Sequence, residues 1–87
     1  MAVELTLDAR LMEPPEPFDK ALEILQKLQP GEYLCMLHRR IPYPLFEFCN
    51  ALSLEHSVKE MPAGDFEILI YQGCDRETLY AEGILCA

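Results

Sequence analysis

The sequence predicts an α/β (α+β) fold, a two-layer sandwich of order β-α-β-α-β-β with two helices on one face of a four-stranded mixed sheet. Three observations predict it. Residues 3–8 alternate apolar and polar at period two. Residues 18–28 and 45–52 carry apolar stripes at helical spacing. The runs EYLCMLH and FEILIYQ are apolar on both faces, as buried strands are.

Taken in order, Val3, Leu5 and Leu7 line one side of the first strand, and Glu4, Thr6 and Asp8 the other. Phe18, Ala21, Leu22, Leu25 and Leu28 recur at i, i+3, i+4, i+7 and i+10, the core stripe of the first helix. Pro17 suits the start of that helix, where a missing N–H costs nothing. Glu13, Glu16 and Asp19 lie near the positive end of its dipole and Lys27 near the negative end. QPGE, residues 29–32, closes it. EYLCMLH is then a central strand, RRIPYP a loop, and Pro44 the start of a second helix with the stripe Leu45, Phe48, Cys49, Leu52. HSVKEM and FEILIYQ flank the turn PAGD as an antiparallel pair. Strand–helix–strand units call for parallel pairing of the first strands.

Residues 1–73 make the domain, and residues 74–87 an extension that is either a short helix capped by Asp75 and ending at Gly83, or one more strand. Because both helices cover one face, the other needs covering too. Phe66, Ile68 and Ile70 point one way, Leu69 and Tyr71 the other. Either Leu79, Tyr80, Ile84 and Leu85 fold over that second face, or a second subunit does, forming a homodimer through the open sheet.

Fifteen acidic residues against seven basic ones give a net charge of −8, a field that disfavours non-specific nucleic-acid binding. The opening MAVELTLDAR carries Glu4 and alternates within a few residues, so no secretory leader is read there. The longest clearly apolar run, ILIY, is far short of a membrane span. A cytoplasmic location is expected. Four cysteines at irregular spacing then read as free thiols.

Chemistry-bearing residues are few. HRRIPYP places His38, Arg39, Arg40 and Tyr43 together in an acidic chain. If the first two strands are parallel, Arg10 emerges at the same sheet edge, where helix N-termini also point. Arg10, Arg39 and Arg40 could then hold a small anion or a partner's acidic patch. The plainer reading is a solvated loop whose arginines offset Asp8, Glu13 and Glu16. Cys35 and His38 lie three apart in a strand and face opposite sides, so they cannot share a metal. No CxxC pair, Gly-rich phosphate loop or nucleophile elbow occurs, and no cofactor or catalytic residue is indicated.

LDAR before a proline-rich helix start, and LQPGEYL opening the second strand, resemble the TusA/SirA sulfur-carrier family over roughly residues 4–72. The pattern PPEP, PGE and PxPL, at Pro14–Pro17, Pro30–Glu32 and Pro42–Leu45, is most similar to an uncharacterised branch of that superfamily, a domain of unknown function. The resemblance implies a TusA-like fold. It also implies a persulfide-bearing cysteine in a Cys-Pro-x-Pro motif at the first helix start. Here Pro15, Glu16 and Pro17 match that motif, but Pro14 stands where the cysteine would. Proline has no thiol, so carrier chemistry cannot run at this position. Members of the branch resemble accessory domains joined to hemerythrin-like or redox proteins, which implies a redox or sulfur-metabolism partner.

The leading expectation is therefore a non-catalytic module that binds a protein partner or a small anion. Its contact surface would be Arg10, Pro14, Pro15, Glu16, Pro17, His38, Arg39, Arg40 and Tyr43. The alternative is a divergent sulfur carrier using Cys74 or Cys86, since Cys35 and Cys49 fall on core positions. An enzyme with carboxylate chemistry is third.

Overall fold

The computed structural model describes residues 2–85. β1 (Val3–Asp8), α1 (Glu16–Gln26), β2 (Glu32–His38), α2 (Tyr43–Ala51), β3 (Leu54–Glu60) and β4 (Phe66–Gln72) follow in that order. A single 3-10 turn (Gly73–Asp75) and a short helix, α3 (Arg76–Ala81), come after them. The mixed sheet has the order β1-β2-β4-β3. β1 runs parallel to β2, with Leu5 opposite Leu34 and Leu7 opposite Met36. β4 is antiparallel to both of its neighbours.

Side-chain polarity explains why β4 enters between β2 and β3. Ile68 and Ile70 on one face of β4, and Leu69 and Tyr71 on the other, are all buried. A strand apolar on both faces needs a neighbour at each edge and cover above and below. β3, with Glu55, His56, Lys59 and Glu60, tolerates an exposed edge, which its charges also guard against mispairing. β3 begins at Leu54, two residues before the sequence pattern places it. Leu54 is buried in the core and pairs with Gln72.

On one face, Leu34, Met36, Ile68 and Ile70 of the sheet meet Ala21 and Leu25 of α1 and Leu45 and Cys49 of α2, most of them fully buried. Phe48, placed on the core stripe by its spacing, is instead 44% exposed and packs edge-on against Phe18, bridging the two helices. Phe46 takes the inward role, stacking on His56 of β3 at 3.8 Å.

The opposite face of the four-stranded sheet is covered by the extension, the first of the two covers expected for it. Tyr33, Cys35, Leu69 and Tyr71 are covered by Leu79 and Leu85, with Ile84 packed alongside, so α3 adds a short third layer. Tyr80, expected to share in this cover, points outward and is 45% exposed. The extension is helical with Asp75 at the N-cap position of α3, but the Asp75 carboxylate makes no capping bond to that helix. Its Oδ2 accepts the Gly31 N–H at 2.8 Å, at a turn where φ of +87° calls for glycine. Gln72 Nε2 donates to the Leu28 carbonyl at 3.2 Å, and Arg76 pairs with Glu55 at 3.2 Å. The Asp75 and Arg76 contacts tie the extension to the α1–β2 turn and to β3, and the Gln72 bond ties the end of β4 to the same turn. Among the described residues, no helix is long and apolar enough to cross a membrane.

Candidate functional site

Parallel pairing carries the ends of β1 and β2 to one sheet edge, and each strand there turns back into a helix. The pairing runs one residue past β1, since the Ala9 N–H donates to the Leu37 carbonyl at 2.7 Å. The β3–β4 turn reaches the same edge, because Phe66 at the start of β4 lies opposite His38. Three loops thus meet, and they make two grooves.

The first groove, of about 340 Å³, lies between the starts of α1 and α2. Pro14, Pro15 and Pro17 line it from α1; Ile41, Pro42 and Pro44 line it from α2. The Pro14–Pro15 peptide bond is cis. Neither helix has a side-chain cap on its first N–H groups, and each carries proline in its first turn. Fully buried Met36 and Leu45 also contribute to the lining. Its polar groups come from His38 and Arg40. The Arg40 backbone N–H donates to His38 Nδ1 at 3.2 Å. Burial, and secondarily the Arg40 charge, lower the His38 pKa and favour the neutral ring. A neutral ring accepting at Nδ1 carries its proton on Nε2, which is left to donate.

The second groove, of about 310 Å³, is lined by Asp8, Arg10, Leu11, Arg39 and Asp65. Arg10 donates from Nε and Nη2 to the two carboxylate oxygens of Asp8 at 2.9 and 2.7 Å, and its Nη1 lies 3.7 Å from Asp65. This bidentate contact, more than the remaining attraction, holds the Asp8 carboxyl down at about 2 and raises the Arg10 pKa. Both groups face solvent, so the contact positions the loop and adds little stability.

The candidate residues are thereby sorted. Arg10, Arg39 and Arg40 do not form one anion site. His38 and Arg40 share the proline groove, while Arg39 falls in the other, as successive residues leaving a strand alternate sides. Arg10 is engaged by Asp8 and Asp65; of the acidic residues the plainer reading named, only Asp8 pairs with an arginine among the described residues. Among the described residues, neither Arg39 nor Arg40 makes an ion pair. Glu16 is exposed in the first turn of α1 and lies outside the groove lining. Tyr43, 67% exposed, packs edge-on to Phe46 and also lies outside it. Sequence reasoning missed Phe18, Met36 and Ile41 as groove residues, and Asp65 as a partner of Arg10. The PAGD turn held the signal for Asp65, readable only once β4 is known to lie beside β2.

The thiols divide as clearly. Burial, with Glu67 and Glu4 adding to it, pushes the Cys35 thiol beneath α3 up to about 11. Burial in the helix-side core pushes Cys49 up to about 11 as well. Neither is a thiolate near neutral pH. Cys74 is exposed, its Sγ 3.7 Å from Gln72 Oε1. It follows the end of β4, so it sits at the sheet edge opposite the proline groove. Cys86 lies outside the described residues. Among those described, no group of three or more His, Cys, Asp or Glu side chains could hold a metal.

No curated protein and no solved structure matches the chain. A family model does match residues 6–72, from within β1 to the end of β4, taking in both segments that wall the proline groove. The chain belongs to that family, DUF2249, described as an uncharacterized conserved protein.

Proposed function

We propose that this chain is a non-catalytic binding module of TusA-like fold, whose contact surface is the sheet edge where α1 and α2 begin. The observation that carries this reading is the meeting of two distant proline segments in one groove with Arg40 and His38. None of the groove's lining residues is acidic, in a chain with fifteen acidic residues. A partner or ligand bearing negative charge fits there. The element order and the Pro15-x-Pro17 helix start support the TusA-like assignment. A redox or sulfur-metabolism partner and a cytoplasmic setting belong to the same proposal, the setting supported by free thiols at Cys35, Cys49 and Cys74.

Thermal unfolding in sulfate or phosphate, against chloride at matched ionic strength, tests the reading. At about ten times Kd, mass action gives roughly 1.4 kcal/mol of added stability. In a domain of this size that raises Tm by about 5 °C or more. Arg40→Ala is expected to remove most of the gain, and Arg10→Ala little of it. No gain in the parent protein would discard the anion-binding form of the proposal.

Exposed Cys74 sustains the second reading, a divergent sulfur carrier. Intact mass after incubation with a cysteine desulfurase and free cysteine, without reductant, decides it. The binding-module reading expects no added sulfur on Cys74. A persulfide mapped there would establish a carrier whose reactive group had moved to the far edge of the sheet.

A further inference from the structure

We propose that the proline-walled groove takes a small amphiphilic carboxylate, an organic acid with an aromatic or branched aliphatic body, its carboxylate held by Arg40 and the His38 Nε2–H. The inference rests on the binding-module reading and adds the chemical class of the ligand.

The walls define the body of that ligand. Pro14, Pro15, Pro17, Pro42 and Pro44 present ring surface and have no backbone N–H to donate. A peptide main chain laid between them would leave its own carbonyls short of donors. An apolar group loses no hydrogen bond by entering. Fixed ring torsions also keep the walls in shape, so little ordering cost falls on binding. A volume of about 340 Å³ lies at the small end of ligand cavities, enough for a ring with a short chain.

Charge defines the head. Arg40 makes no ion pair among the described residues, so its guanidinium is open to a bidentate contact with a planar carboxylate. His38 has its Nδ1 taken by the Arg40 N–H and offers a donor at the other nitrogen. With no acidic residue in the lining, an anion meets no like charge there, whereas a cationic head finds no counter-ion.

The test is a titration of the isotope-labelled chain with phenylbutyrate, phenylbutanol and inorganic phosphate as separate arms, followed by nuclear magnetic resonance. Phenylbutyrate is expected to shift Phe18, Met36 and Ile41 signals saturably. Phenylbutanol is expected to bind about tenfold more weakly, the value of one charge-assisted contact. Arg40→Gln should bring the acid down to the level of the alcohol without altering the alcohol. Ile41→Glu, at a half-buried loop position, should abolish binding of the acid. Equal affinity for acid and alcohol, shifts mapping outside the groove, or no saturation would each overturn the proposal. In any of those cases, phosphate-induced shifts at Arg40 would leave the anion-binding module standing, and their absence would remove it too.

Discussion

Ile68→Ala is expected to lower the unfolding free energy by about 3–4 kcal/mol. Ile68 is fully buried on a central strand, with Met36 opposite on one side and Val58 on the other. It belongs to the cluster that joins the sheet to both helices. Truncation removes its transfer free energy and leaves a cavity between sheet and helices that closes only in part. A domain of this length holds about 4–13 kcal/mol in total, so the loss is a large fraction. Urea unfolding should show a lower midpoint with an unchanged slope. Val58→Ala is the control: Val58 faces the same way on edge strand β3 but is 37% exposed, and should cost less than about 1 kcal/mol. Equal costs for the two would mean that the core relaxes around position 68.

Leu79→Asp is expected to undock α3 while the rest of the sheet stays folded. Leu79 is 1% exposed among Tyr33, Cys35, Leu69 and Tyr71. A carboxylate forced into that contact would be buried without a partner, at a cost of several kcal/mol. Releasing a six-residue helix costs less. The thiols report the outcome. Cys35 lies under α3, and uncovering it removes the burial that holds its thiol near 11. Alkylation of Cys35 at neutral pH should speed up by at least roughly tenfold. Cys49, on the helix side, should remain protected. Parallel labelling of both would show that α3 unfolds only with the whole domain. No acceleration at Cys35 would show that Leu79 is not what covers it.

The chain announces its fold through patterns whose two possible meanings differ in kind. Alternation in Val3–Asp8 and two-faced apolar runs in β2 and β4 leave little choice, because a strand's burial is written at period two. Strand order was harder to read. That β4 pairs with β2 depends on comparing how polar β3 and β4 are, a relation between elements rather than within one. Asp75 looked like a helix cap, since aspartate often is one. A turn more than forty residues earlier claimed its carboxylate instead, through Gly31. At the candidate site the residue types were legible and their grouping was not. Arg10, Arg39 and Arg40 share an edge, yet alternation at the end of β2 sends Arg40 to the proline groove and Arg39 to the groove where Asp8 and Asp65 engage Arg10. Phe18 and Met36 read as ordinary core and Ile41 as part of a loop, because nothing in a sequence marks which apolar residue also borders a groove.

The position of β4 has a consequence for synthesis. The last strand made is the one that joins the earlier ones, pairing with β2 on one side and β3 on the other. While the chain is still emerging, β1 and β2 can already pair, but β3 has no strand to receive it. Only when residue 72 has left the ribosome can the sheet close, and the cover from α3 follows within about ten further residues. A ribosome stalled just before that point would hold an open edge on β2 and, with α3 not yet made, an uncovered apolar face at Tyr33 and Cys35, the form of this molecule most exposed to aggregation.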